Sequence, residues 1–158
     1  MDANNIKFRC SSLGYIMTEP RTKSELISES AKTHLVDVFV SAKYGRNTDI
    51  QTKYTNKGLL VEEDSLTLYS LYKKKFFTKN EERFQNDWIS GCPDIVNNVR
   101  DIKSSWDIFT FFRTKSKKLN PMYYWQLQGY MDLMNDDKST LAYCLIDTPD
   151  SIIFDEKR

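Results

Sequence analysis

Apolar residues recur with helical period through TKSELISESAKTHLVDVFVSAKYG, residues 22–45, where Leu26, Ala31, Leu35, Val38, Phe39 and Ala42 mark one face. Thr22 and Glu25 have capping-box spacing and Gly45 is a natural stop, so one long helix is expected there. A second helix is expected from about Asn56 to about Lys75, carried by Leu59, Leu60, Leu66, Leu68, Leu71 and Tyr72. The period then shortens. FQNDWIS, DIVN and VRDIKS read as short strands joined by tight turns, and SWDIFTFFRTKSKKL as a loose segment. NPMYYWQLQGYMDLM starts a third helix, with Asn120 as N-cap and Pro121 at its first position; STLAYCLID reads as a closing strand. The order α-α-β-β-β-α-β predicts an α/β (α+β) fold, a central mixed β-sheet flanked by helices. No segment reads as a linker, so a single domain over residues 1–158 is expected.

The tightest turn carries the most chemistry. If VNNV is a two-residue turn with Asn97 and Asn98 left-handed, Val96 pairs with Val99, Ile95 with Arg100, and Asp94 with Asp101. Alternation then puts Asp94, Val96, Val99, Asp101 and Lys103 on one face. Like charges directly opposite destabilise a sheet. As ligands the same pair makes sense, because hard Mg²⁺ prefers carboxylate oxygens and keeps waters for chemistry. Lys103 beside them suits a developing phosphate charge, and the three together are the parts of a phosphodiester-cleaving site. The plainer alternative is a surface hairpin with harmless polar residues.

Composition narrows the classes. A hydrophobic fraction of 40% and an aromatic fraction of 13% describe a folded globular chain, and 158 residues suffice for a core. The formal net charge of +1 names no partner, so a nucleic-acid surface would have to be local. Cys10, Cys92 and Cys144 are far apart with no CxxC pair, which argues against zinc and against an iron–sulfur cluster and for reduced thiols. MDANNIKFRC has no apolar signal core and no apolar run approaches a membrane span, so a soluble, cytoplasmic protein with no membrane partner is expected. His34 is the sole histidine, which makes histidine catalysis a poor reading; Trp88, Trp106 and Trp125 read as core.

CPDIVNNVRDIKSS resembles the PD-(D/E)xK nucleases, whose two acids and lysine lie on adjacent strands. NKGLLVEEDSLTLY resembles the helix that precedes their core and delivers a glutamate. YWQLQGYMDL matches the Q-x-x-x-Y helix of the exonuclease branch through Gln126 and Tyr130, four apart and so on one face. CSSLGYIMTEPR is similar to an N-terminal segment where a serine and basic residues lie near the DNA end. The resemblance is to the phage lambda-type exonucleases and the YqaJ-like viral recombination nucleases, and it runs from about Ser11 to about Pro149.

That resemblance implies a restriction-endonuclease-like core and a Mg²⁺-dependent deoxyribonuclease, an exonuclease of phage recombination, with Mn²⁺ able to substitute. Glu62, Asp94, Asp101 and the backbone carbonyl of Ile102 would ligate the metal; Glu63 is a rival for Glu62. Lys103 would contact the scissile phosphate and the attacking water. Gln126 would hold that water or the lysine, with Gln128 as its rival, and Tyr130 would support the helix face. Implied partners are linear, end-containing, double-stranded DNA, a single-strand annealing protein and further copies of the chain, in the cytoplasm of a bacterial host. Candidate DNA contacts are Arg9, Ser12, Arg113, Lys115, Lys117 and Lys118. The last four sit among aromatics that can stack on unpaired bases, unless that segment is a loop burying Phe109, Phe111 and Phe112 beneath it.

Two departures stand out. Arg9 is only three residues before Ser12, closer than the family's phosphate-binding arginine, and DSIIFDEKR ends the chain soon after the last core strand, where relatives continue. A restriction-like or structure-specific endonuclease, or a non-catalytic DNA-binding or assembly protein, are the other functions such a chain could serve. The filled acid and lysine positions weigh against the last.

Overall fold

The computed structural model describes residues 6–47 and 52–154. In chain order its elements are β1 (Phe8–Arg9), a 3₁₀ turn (Cys10–Ser12), α1 (Leu13–Ile16), α2 (Glu29–Tyr44), α3 (Lys53–Leu60), α4 (Glu62–Lys73), β2 (Phe84–Gln85), β3 (Ile89–Gly91), β4 (Arg100–Ser105), α5 (Ile108–Ser116), α6 (Pro121–Met134), β5 (Thr140–Leu145) and α7 (Asp150–Phe154). The mixed α/β class is as the sequence predicts, but the order is not simply the expected one. FQNDWIS supplies two strands, DIVN contributes only an isolated bridge at Ile95, β1, α1, α5 and α7 are added, and the strands form two small sheets in place of one central sheet. No described helix is long and apolar enough to cross a membrane.

Three boundaries differ from expectation, each for a local reason. The first long helix begins at Glu29, because Ser28 is its cap: the Ser28 hydroxyl accepts from the Ala31 N–H at 3.0 Å. Thr22 and Glu25 only close a turn, and Leu26 is 98% exposed, with no apolar face to join. The second helix is broken at Val61, whose φ of −109° lets the fully buried valine redirect the chain between α3 and α4. The segment expected to be loose is α5. Its cap is reciprocal: Asp107 accepts from the Thr110 N–H at 2.7 Å, and the Thr110 hydroxyl accepts from the Asp107 N–H at 3.0 Å. Trp88, expected in the core, is 75% exposed.

The described residues fall into two compact units, each built from separate stretches of chain. The first holds a mixed three-stranded sheet in the order β1-β3-β2, with β1 parallel and β2 antiparallel to β3. The Asn86 side chain closes the β2–β3 turn by accepting from the N–H groups of Trp88 and Ile89, both at 2.9 Å. Helix α6 packs on β3, and Gly91 makes that approach possible: a Cβ there would lie 2.6 Å from the Tyr130 ring and 2.7 Å from the Cys10 sulfur. Burial pushes the Cys10 thiol up to about 11, so it is an inert piece of core.

In the second unit β4 and β5 pair in parallel, from Arg100 opposite Thr140 to Ser105 opposite Leu145. Helix α4 covers them through a cluster of Tyr69, Phe77, Ile95 and Cys144, flanked by Leu66, Ile102, Ala142 and Ile146. At the far ends of both strands the buried Lys57 ammonium donates to the carbonyls of Ser105 at 2.7 Å, Trp106 at 2.8 Å and Ile146 at 2.6 Å. All three of its protons are placed, which satisfies carbonyls that lie beyond the ladder.

Candidate active site

The hairpin that carries the acids has the expected register. Ile95 and Arg100 exchange backbone bonds of 3.2 and 3.0 Å, which brings Asp94 toward Asp101. Its closure differs from the two-residue turn: residues 96–99 form the turn, and Asn98 is its left-handed residue, at φ 53°. Asn97 is not left-handed; its carbonyl instead accepts from the Arg100 guanidinium. Val99 is fully buried, and its carbonyl takes the Thr140 N–H at 2.9 Å, so the turn is anchored to β5.

Asp101 is a buried carboxylate and Asp94 a partly buried one. One Asp94 oxygen accepts the Ile102 N–H at 2.5 Å, which ties the acid before the turn to the strand after it. Desolvation first, and then the Asp101 charge, push Asp94 up to about 6. Asp101 is 2% exposed and is also shifted upward by burial, against the pull of Lys103, whose ammonium lies 2.8 Å from its carboxylate. Ile102, between them on β4, turns its side chain to the apolar cluster.

Glu62 opens α4 in the same unit, and its charge adds to the upward shift of both aspartates. Its carboxylate is 3.0 Å from the Lys79 ammonium. Both aspartates feel the Glu62 charge, while Glu63 lines a groove with Leu66, Phe77 and Lys79. Lys79 has no signature in the sequence, and neither has its neighbour Asn80. The Asn80 N–H donates to the Asp94 carbonyl at 2.8 Å and its side chain to the Pro93 carbonyl at 3.0 Å, clamping the backbone from which Asp94 projects.

The fold thus brings Asp94, Asp101, Ile102 and Lys103 together, with Glu62 nearby. Gln126 and Tyr130 belong to the first unit, buried on one face of α6, where the Gln126 amide donates to the Tyr130 hydroxyl at 2.9 Å. Gln128 on the same helix is only partly buried. Also in the first unit, Arg9 is exposed on β1, and the Ser12 hydroxyl donates to the Arg9 carbonyl at 3.0 Å. Arg113, Lys115, Lys117 and Lys118 are exposed on and just after α5.

The donor set fits a hard divalent cation in part. Two neighbouring carboxylates whose ionisation is disfavoured, one buried and one partly so, are what such an ion relieves. Among the described residues no three His, Cys, Asp or Glu side chains stand close enough to hold a metal, and the Glu62 carboxylate is paired with Lys79. A third carboxylate ligand would require that ion pair to open.

No family model matches the chain, and no curated protein does. Solved structures do. A phage-related exonuclease from Haemophilus somnus 129PT superposes with a TM-score of 0.81 at 30% identity, over 94% of this chain and 72% of that one. The alkaline exonuclease LHK-Exo from Laribacter hongkongensis matches with a TM-score of 0.72 at 17% identity, over 95% and 75% of the two chains. Its complex with dAMP matches at 0.67 and 18%, with the same coverage. Fold and hairpin together define the restriction-endonuclease-like class of nuclease folds. Within it, the chain belongs to the family of phage lambda-type exonucleases and YqaJ-like viral recombinases.

Proposed function

We propose that the chain is a divalent-metal-dependent deoxyribonuclease that digests linear DNA from its ends in phage recombination. The observation that carries this reading is the Asp94–Asp101 pair, the second acid buried and the first partly so, with Lys103 at 2.8 Å from the second acid. Desolvating two neighbouring acids costs stability, and a role as metal ligands would account for that cost. The LHK-Exo structure holding dAMP supports DNA as the substrate class.

Asp94, Asp101 and the Ile102 carbonyl would hold Mg²⁺ or Mn²⁺, joined by Glu62 once Lys79 releases it. When bound, such a cation lowers the pKa of water and offsets charge on the phosphate. Lys103, whose ammonium already sits beside Asp101, would meet the scissile phosphate and steady its added negative charge. Burial of the acids excludes bulk water and strengthens these charges. Gln126, backed by Tyr130, would hold the attacking water or the lysine, and the nuclease would act in the cytoplasm of a bacterial host.

The test is digestion of linear and covalently closed DNA with Mg²⁺, with EDTA, and with Lys103→Ala protein. Degradation of linear DNA only, stopped by EDTA and cut at least a hundredfold by the substitution, is expected. Cutting of closed circles would replace the exonuclease with an endonuclease, and a metal-independent or Lys103-independent activity would sink the site.

A further inference from the structure

Helix α5 turns its chemistry inside out. Ile108, Phe109 and Phe112 are 50%, 66% and 55% exposed, whereas the small polar residues of the helix bond to its own backbone. The Thr110 hydroxyl donates to the Asp107 carbonyl at 2.9 Å and the Thr114 hydroxyl to that of Phe111 at 2.6 Å. Large rings on the solvent face of a capped helix are the reverse of a core-facing pattern.

The rings are also held rather than loose. Phe112 meets Phe111 edge-to-face at 5.7 Å, and the Lys115 ammonium lies 5.2 Å above the Phe112 ring. Cations frame them: Arg113, Lys115, Lys117 and Lys118 are all exposed, and no acidic residue occurs between Asp107 and Asp132. In a chain with a net charge of only +1 this is a strong local imbalance. The helix starts five residues after Lys103 and packs on β4 and β5, in the unit that carries the two aspartates.

We propose that the exposed face of α5 is a binding platform for unpaired DNA, with bases stacking on Phe109 and Phe112 while Arg113, Lys115, Lys117 and Lys118 neutralise phosphates. The proposal rests on the nuclease reading for its choice of nucleic acid. Stacking needs bare base faces, so a single strand or a frayed end fits and an intact duplex does not. A second copy of the chain meeting this face through a two-fold axis would set cation against cation, which disfavours self-pairing.

The test uses the whole chain in EDTA, so that nothing is cleaved, with fluorescence anisotropy of labelled oligo(dT) and of a blunt duplex. Phe109→Ala/Phe112→Ala protein is expected to bind oligo(dT) at least tenfold more weakly, with duplex binding changed less than threefold. Phe109→Leu/Phe112→Leu, still apolar, should lose as much, and Phe109→Trp/Phe112→Trp should retain binding. Lys115→Ala/Lys117→Ala/Lys118→Ala should weaken both probes and lower the salt slope on oligo(dT) by about 2. Circular dichroism checks that each variant is folded. Undiminished oligo(dT) binding by the Ala or Leu pair overturns the proposal, as does a change in sedimentation with oligo(dT) binding intact, which would make the face an interface between copies. Cleavage of linear DNA by the unaltered protein is scored separately: its absence alone defeats the nuclease reading, and its presence with unchanged Ala-pair binding defeats only the α5 platform.

Discussion

Replacing Asp94 by Asn should make the metal-free protein more stable at alkaline pH while removing its activity. Burial and the Asp101 charge raise the Asp94 carboxyl from 3.8 to about 6. A raised acid pKa means that the folded chain holds a proton the unfolded chain has lost, so stability falls as pH rises through that window. At 1.36 kcal/mol per pH unit the full penalty at pH 8 is about 3 kcal/mol. Residual exposure of the group discounts it to about 2 kcal/mol. Asparagine keeps an acceptor for the Ile102 N–H, which Asp94 binds at 2.5 Å, and loses only the charge. A gain of that size corresponds to a rise in Tm of about 4–8 °C for a chain of this length. The assay is thermal or urea unfolding in EDTA at pH 8 and pH 5. The gain should be present at pH 8 and shrink at pH 5, where the native aspartate is mostly protonated. An Asp94→Asn protein no more stable than the parent at pH 8 would refute the reasoning, because it would mean that the charge is not penalised in the fold.

Other substitutions probe the supports of the site. Lys57→Met leaves the carbonyls of Ser105, Trp106 and Ile146 without their donor and should cost about 2–4 kcal/mol in urea unfolding; a loss under 1 kcal/mol would show that water replaces the ammonium easily. Gly91→Ala forces a methyl against Tyr130 and Cys10 and should cost about 1–3 kcal/mol, read as a lower urea midpoint. Lys79→Met breaks a pair that is one-third exposed at both ends and should change stability by less than about 1 kcal/mol. It should also move Mg²⁺ activation to lower concentration, since Glu62 loses a competing cation; an unchanged or higher activation midpoint would count against Glu62 as a ligand.

How far the chain could be read linearly depended on how local each signal was. Asn120 before Pro121 started α6 where expected, because a cap and a fixed φ act within a few residues. The Ile95–Arg100 register was legible for the same reason, since alternation and a short turn leave few pairings. Thr22 and Glu25 misled, because a capping box has value only where an apolar face follows, and Ser28 offered the better cap. The Asp107-x-x-Thr110 box that starts α5 was equally local and was hidden by its aromatic, basic composition.

Other features had no local signature at all. Lys57 looks like any helix lysine until three carbonyls at and just past the ends of two strands converge on it, at separations of 48, 49 and 89 residues. Asn80 holds the backbone of Pro93 and Asp94 across a stretch that no spacing rule connects. Adjacent Glu62 and Glu63 cannot be separated by spacing, and only the fold shows that it is the Glu62 carboxylate that meets Lys79. Residue types and short-range pairing therefore anticipated that Asp94, Asp101 and Lys103 come together, because a short turn and strand alternation act locally. The burial of Asp101, the raised affinity of Asp94 and Asp101 for protons and the outward rings of α5 arose from packing between distant segments, since desolvation depends on everything that surrounds a group.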